Sequence, residues 1–198
     1  MNHGAEQITS RTLLERVRDP EDGAAWREFH DLYAPLLLQF ARARGLAIDD
    51  AEEVRDDCLA LLARKLQEFK YDSSKGGFKG WLFRIAQARA TDALRRDRHP
   101  RLETGQADVV RGREVEPEET WERAWRAEHL RFALAKAEDR VSERTYQAFR
   151  LLLIEGATVQ EVCTRMGMAP DHVYKAKARA LAAVRAILEQ HGTDGPEL

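Results

Sequence analysis

The sequence predicts an all-α protein made of two small helical domains joined by a flexible acidic linker. Three observations carry this. Apolar residues recur at helical spacing through most of the chain, and no stretch shows the alternation of a half-buried strand. Glycine and proline are few, 12 and 6 in 198 residues, and fall where they punctuate the helices. One stretch, 98–119, loses the periodicity and gathers His99-Pro100, Gly105, Gly112 and Pro117 among charges. That stretch reads as a linker between a first domain at 10–97 and a second at 120–190.

The elements follow in order. A first helix runs roughly from Arg11 to Arg18 and is broken by Pro20-Glu21-Asp22-Gly23. Asp22 is placed to cap the next helix, whose Trp26, Phe29, Tyr33, Leu36, Leu37 and Phe40 fall on one face. Gly45 ends it, with Leu46 as a hydrophobic lock. Asp49 or Asp50 opens a third helix at capping-box-like spacing from Glu52 and Glu53. Its apolar stripe is Val54, Cys58, Leu61, Leu62, Leu66 and Phe69. A loop follows from Tyr71 to Gly77. Phe78 and Trp81 then lead into a helix with Leu82, Ile85 and Ala86 inward and arginines outward. The second domain opens near Thr120 with Trp121, Trp125, Leu130, Phe132 and Leu134. It continues in a helix bearing Tyr146, Phe149, Leu152 and Leu153, which Glu155-Gly156 stops. The tail from His191 to Leu198 is expected to be disordered.

Composition narrows the function. Hydrophobic residues are 43% and charged residues 33% of the chain, as in a charge-rich helical protein. No window approaches the roughly twenty apolar residues of a membrane span. The start lacks a basic segment followed by an apolar one, so no signal peptide is expected. Cys58 and Cys163 form no CxxC pair, which argues against a zinc site or disulfide framework and points to a reducing cytoplasm. The histidines are scattered, and no nucleophile elbow or phosphate loop occurs. No catalytic residue, metal or cofactor is expected.

Net charge is −2, but the charge is segregated. Asp49 to Asp57 is acidic, Lys79 to Arg101 basic and Glu103 to Glu122 acidic again. Lys175, Lys177, Arg179 and Arg185 dominate the last helix. Any single run fits a solvated helix face. Two basic blocks flanking an acidic spacer fit two separate anionic contact surfaces better.

The strongest local signal is Thr158 to Arg179: a short helix, a tight turn at Gly167 and a second helix. Val162, Cys163 and Met166 are expected to pack against Met168, Val173 and Ala176. Pro170 suits a first helical turn, where its missing N–H leaves nothing unpaired. The outward face then presents Asp171, His172, Tyr174, Lys175, Ala178 and Arg179, with Lys177 at its flank. A helix entering a major groove needs small residues near the backbone and long donors at its rim. A plain helical hairpin with a solvated basic helix is the alternative. Upstream, Phe69, Tyr71, Phe78, Trp81 and Phe83 cluster around the glycine loop ahead of the arginines. Most of these aromatics are assigned to packing, which leaves the loop residues Asp72, Ser73, Ser74 and Lys75 as base-contact candidates.

Taken in order, Asp50-Ala51-Glu52-Glu53-Val54, Phe69-Lys70-Tyr71-Asp72, Phe78 to Ala86, Asp92-Ala93-Leu94-Arg95-Arg96, Thr145 to Gly156 and the helix-turn-helix resemble the two-domain, extracytoplasmic-function type of bacterial RNA polymerase sigma factor. The Trp121–Trp125 lead-in and Val173 to Lys177 are similar to a planctomycete-rich subgroup. The resemblance runs from about Asp22 to Leu188. It implies a region 2-like bundle that binds the polymerase clamp coiled coil through Asp50, Glu52, Glu53 and Asp56. That bundle would melt and hold the −10 element: the Asp72 to Phe78 loop and Trp81 would take an extruded base of the single-stranded non-template strand, with Arg84, Arg89, Arg95 and Arg96 along the backbone. A region 4-like domain would read the −35 element as duplex through Asp171, His172, Tyr174, Lys175, Lys177 and Arg179. Partners would be core RNA polymerase (clamp and flap), promoter DNA and an anti-sigma factor. Three positions depart from the family pattern: Ala88 stands where Asn is common, Arg55-Asp56 follows Glu53-Val54 where the acidic motif usually runs towards a glutamine, and Ala169 replaces a capping Ser. Two other readings of the residues stay open: a dimeric helix-turn-helix repressor, and a helical adaptor that binds only proteins.

Overall fold

The computed structural model describes residues 13–68, 77–103 and 116–191, with the backbone alone at 97–103. Every element is helical: a short segment at 13–16, then α1 (Gly23–Ala43), α2 (Ile48–Lys65), α3 (Gly77–Glu103), α4 (Pro117–Glu138), α5 (Glu143–Leu153), α6 (Val159–Met166) and α7 (Pro170–Gln190). The chain divides into two compact units, one spanning Leu13–Glu128 and the other, in its described part, 129–191.

The first unit is built on α1. Asp22 accepts the Ala25 N–H at 2.8 Å and caps the helix, as its position predicts. Arg16 holds the Asp22 carboxylate in turn, 3.0 Å away, and that hydrogen bond with the capping bond keeps the carboxyl below its usual range. Phe29, Leu32, Tyr33, Leu36, Leu37 and Phe40 are buried, with Trp26 half-buried. Each such Leu or Phe contributes roughly 1.5–3 kcal/mol through burial. The helix closes at Gly45, whose φ of 94° favours glycine, and Leu46 beyond it is buried.

Helix α2 packs Ala51, Val54, Cys58 and Leu62 inward. Its start differs from the expectation. The helix begins at Ile48 after Ala47, with no side-chain cap, and Asp49 and Asp50 lie inside the first turn. Carboxylates there favour the positive end of the helix dipole without capping it. Burial pushes the Cys58 thiol up to about 12, so it serves as a small apolar side chain. Helix α3 buries Phe78, Leu82, Ala86, Ala90 and Ala93, while Ile85 is half-buried. Its backbone stays helical to Glu103, into the stretch expected to be linker. The apolar pattern fades there, but Arg, Leu and Glu retain good helix propensity.

The sequence reading placed Trp121 and Trp125 at the head of the second domain. The structure packs them into the first unit. Trp121 lies 5.3 Å from the Phe40 ring and 5.6 Å from Phe83, and Trp125 lies 5.9 Å from Tyr33. Both indoles are nearly sealed, at 2% and 4% exposure. Helical periodicity marks them as buried but carries no information about their partners. Helix α4 thus gives Pro117–Glu128 to one unit and the rest of its length to the other.

In the second unit α5, α6 and α7 pack around Ala148, Val162, Val173 and Ala176, with Cys163, Met166 and Met168 against them. This is the interhelix contact expected across the turn. His191 is buried and meets Phe132 edge-on at 5.0 Å, which corrects the expectation of a disordered tail at that residue. The remainder of that tail, 192–198, lies outside the described residues.

Trp121→Ala is expected to destabilise the first unit by about 3–5 kcal/mol, the usual cost of truncating a buried aromatic. Trp121→Phe should lose far less, because the buried indole N–H has no hydrogen-bond partner among the described residues. Denaturant unfolding followed by circular dichroism measures both. A Trp121→Ala chain as stable as the parent would show that this helix end is not part of the core.

Candidate nucleic-acid interface

The helix-turn-helix is fixed at both ends and in the middle. Thr158 caps α6, accepting the Glu161 N–H, and Glu161 reaches back to the Thr158 N–H at 2.7 Å. This capping box, Thr-x-x-Glu, was readable in the sequence and was missed. Gly167 adopts φ 58°, ψ 46°, the left-handed conformation in which a Cβ is strained. Arg144 of α5 donates to the carbonyls of Met166 and Gly167 at 3.0 and 3.2 Å and ties the turn to the preceding helix. No local pattern points to Arg144, since its partners lie more than twenty residues away.

Helix α7 then presents its outer face. Val173, Ala176, Ala180 and Val184 are buried at i, i+3, i+7 and i+11. Asp171, His172, Lys175 and Arg179 are exposed on the other side, as is Tyr174 at 58%. Lys177 is half-buried at the flank. Ala169 precedes the helix with no side-chain cap, and Pro170 occupies the first turn. These six candidates share one helix, and a donor-rich face opposite a packed one is the arrangement groove reading requires.

In the first unit the candidates divide. Asp72, Ser73, Ser74 and Lys75, with Phe69 and Tyr71, lie outside the described residues. Trp81 is half-buried, 5.9 Å from the Phe78 ring, so its indole belongs partly to packing. Arg84 and Arg95 are exposed on the side of α3 away from Leu82 and Ala86, with Ala88 between them. Arg89 is half-buried beside α2, close enough to favour the Cys58 thiolate. Arg96 is exposed and ion-paired to Glu53 at 3.2 Å.

The acidic candidates all lie on α2. Glu52, Glu53 and Asp56 are exposed and Asp50 is half-buried. Arg55 lies 3.7 Å from Glu52 and 2.8 Å from Asp56, and its hydrogen bond holds the Asp56 carboxyl below the usual range. Among the described residues, no group of three or more His, Cys, Asp or Glu is placed to hold a metal ion. No helix among them is long and apolar enough to cross a membrane.

Part of this geometry matches known proteins. Residues 29–99, from α1 through most of α3, match the sigma-70 region 2 model. The ECF RNA polymerase sigma factor RpoE of Cereibacter sphaeroides is 34% identical over 107 residues, covering 54% of this chain and 56% of that protein. The chain therefore spans about half the length of this curated relative. A solved structure, CnrH in complex with the cytosolic domain of CnrY, aligns with 91% of this chain and 97% of its own at 22% identity and a TM-score of 0.39.

The Thr158–Glu161 box should make this unit acid-sensitive. Two hydrogen bonds from Thr158 hold the Glu161 carboxyl below its ordinary value. The stabilisation is complete above the ordinary glutamate pKa and is lost as pH falls through the lowered one. Glu161→Gln keeps an acceptor for the Thr158 N–H and hydroxyl but removes the titrating carboxyl, and is expected to flatten this acid-side dependence. Thermal melts at stepped pH test it. An unchanged acid limb in the variant would assign the dependence to other carboxylates.

Proposed function

We propose that this chain is a transcription initiation factor of the extracytoplasmic-function type. It binds core RNA polymerase and directs it to promoters whose −10 element it helps to melt and whose −35 element it reads as duplex. The observation that carries this reading is one pairing. A sigma-70 region 2 domain shares its chain with a helix-turn-helix whose second helix presents Lys175, Arg179 and Tyr174 to solvent.

Each part has a stated task. Asp50, Glu52, Glu53 and Asp56 form the α2 surface offered to the polymerase clamp. The Asp72 to Lys75 loop and Trp81 receive an extruded base, and Arg84, Arg89, Arg95 and Arg96 follow the strand backbone. Asp171, His172, Tyr174, Lys175, Lys177 and Arg179 meet the duplex. The chain performs no catalysis of its own, acts in the cytoplasm and needs no cofactor; an anti-sigma partner follows from the family resemblance alone. Extruding a base costs a few kcal/mol, and stacking returns roughly 1–3 kcal/mol per base. With a net charge of −2 to set against that deficit, the isolated chain should bind promoter weakly and depend on polymerase to open it.

Gel filtration with bacterial core RNA polymerase is the direct test, and the chain is expected to move into the polymerase peak. A free dimer that binds duplex unaided would instead indicate a repressor, and a monomer silent towards both polymerase and DNA an adaptor. In the bound state, Arg95→Ala with Arg96→Ala should reduce open-complex formation while leaving co-elution intact. Lys175→Ala should weaken duplex binding across sequences and lower the salt slope by about one.

A further inference from the structure

Two cations of α3 are engaged by carboxylates from neighbouring helices. Arg96 Nη1 donates to Glu53 Oε1 of α2 at 3.2 Å. Lys79 Nζ lies 2.8 Å from the Glu122 carboxylate of α4, and it also sits over the Trp125 ring, 5.4 Å from its centre. Arg95 is a looser 3.8 Å from Asp92 on its own helix. In the Arg96–Glu53 pair the side chains are 63% and 55% exposed, so both groups remain in water and the pair can open without disturbing the core.

We propose that Glu53 and Glu122 act as intramolecular phosphate mimics, occupying Arg96 and Lys79 in the isolated chain, and that a basic partner engaging α2 frees Arg96 for nucleic acid. This rests on the reading of the chain as a polymerase- and DNA-binding factor, and adds a control on that same surface. Carboxylate and phosphate oxygens compete for the same guanidinium donors, so Arg96 cannot satisfy Glu53 and a strand fully at once. Glu53 also belongs to the face assigned to the polymerase clamp. One ion pair therefore joins the two contact surfaces, and whatever draws Glu53 away strengthens DNA binding by the same factor that DNA strengthens the partner. The magnitude is that of an exposed pair, a two- to fivefold change in affinity and no more. The salt dependence should reveal it too. A cation already neutralised by Glu53 releases fewer ions when it meets phosphate, so freeing it steepens the single-strand slope by up to about 0.7.

The test measures anisotropy of a labelled single-stranded oligonucleotide with the full chain across a salt series. Glu53→Gln is expected to tighten binding about two- to fivefold and to steepen the slope. Asp57→Asn, which removes the same charge nearby on α2 but is not paired with Arg96, should tighten it less. In an Arg96→Gln background the Glu53→Gln gain should vanish. Glu122→Gln should act likewise through Lys79, losing its gain in Lys79→Gln. Equal gains from Glu53→Gln and Asp57→Asn, or a gain that survives Arg96→Gln, would overturn the masking and leave only bulk charge. If Arg96→Gln weakens binding while Glu53→Gln changes nothing, masking fails and the DNA reading stands. If Arg96→Gln binds like the parent and Glu53→Gln also gives no gain, the assignment of Arg96 to DNA fails, and masking with it.

Discussion

Helix α1 is apolar around more than one face, and the first unit follows from that. A helix with a single stripe needs a single neighbour. Burying Phe29, Leu32, Tyr33, Leu36, Leu37 and Phe40 together calls for cover from several sides. Helices α2 and α3 supply part of it, and the two indoles of α4 supply more. Phe29, Tyr33 and Phe78 meet within 4.5–6.0 Å of one another, and Phe40, Phe83 and Trp121 form a second group at 5.3–6.1 Å. Phe78 and Phe83 thus hold α3 to α1. Their packing sets which side of α3 remains for charge, and so where Arg84 and Arg95 point.

What could be read in advance tracks the range of the interaction. The Asp22 cap, the turn at Gly45, the α1 stripe and the Gly167 turn depend on residues within a few positions, and the sequence displays them. The outer face of α7 follows from one helical period once Val173 and Ala176 are known to be inside. Contacts between distant residues were not legible. Nothing local pairs Arg96 with Glu53, brings Arg144 to the Gly167 carbonyl or seats Trp121 on Phe40. The start of α2 misled for another reason: Asp at a cap and Asp in a first turn look alike in sequence, and both are favourable. The loop proposed to take a base lies outside the described residues, so that part of the site rests on the resemblance.

The two units solve different problems. The second presents the outer face of α7, and its effort goes into geometry: a capped α6, a left-handed glycine and an arginine bracing the turn. The first presents charge on a scaffold of aromatic packing, and neighbouring carboxylates temper that charge. Under the proposed function, the second unit as a reader of duplex gains from fixed geometry, since base edges demand fixed positions. On the same proposal, the first unit as a holder of single strand gains from restraint, since unselective phosphate affinity would hold it on any nucleic acid.

Helix α4 has a consequence for how such chains can be recombined. Its first half completes the core of one unit and its second half belongs to the other. A chimera joined in the acidic stretch before Pro117 would strip Trp121 and Trp125 from the unit they fill and carry them onto a foreign partner. The natural exchange point falls within a helix, where the two sides must keep a continuous backbone and a common helical phase. Lineages that shuffle these modules would therefore have to move the indoles and their aromatic sockets together, so the two should be inherited as a set.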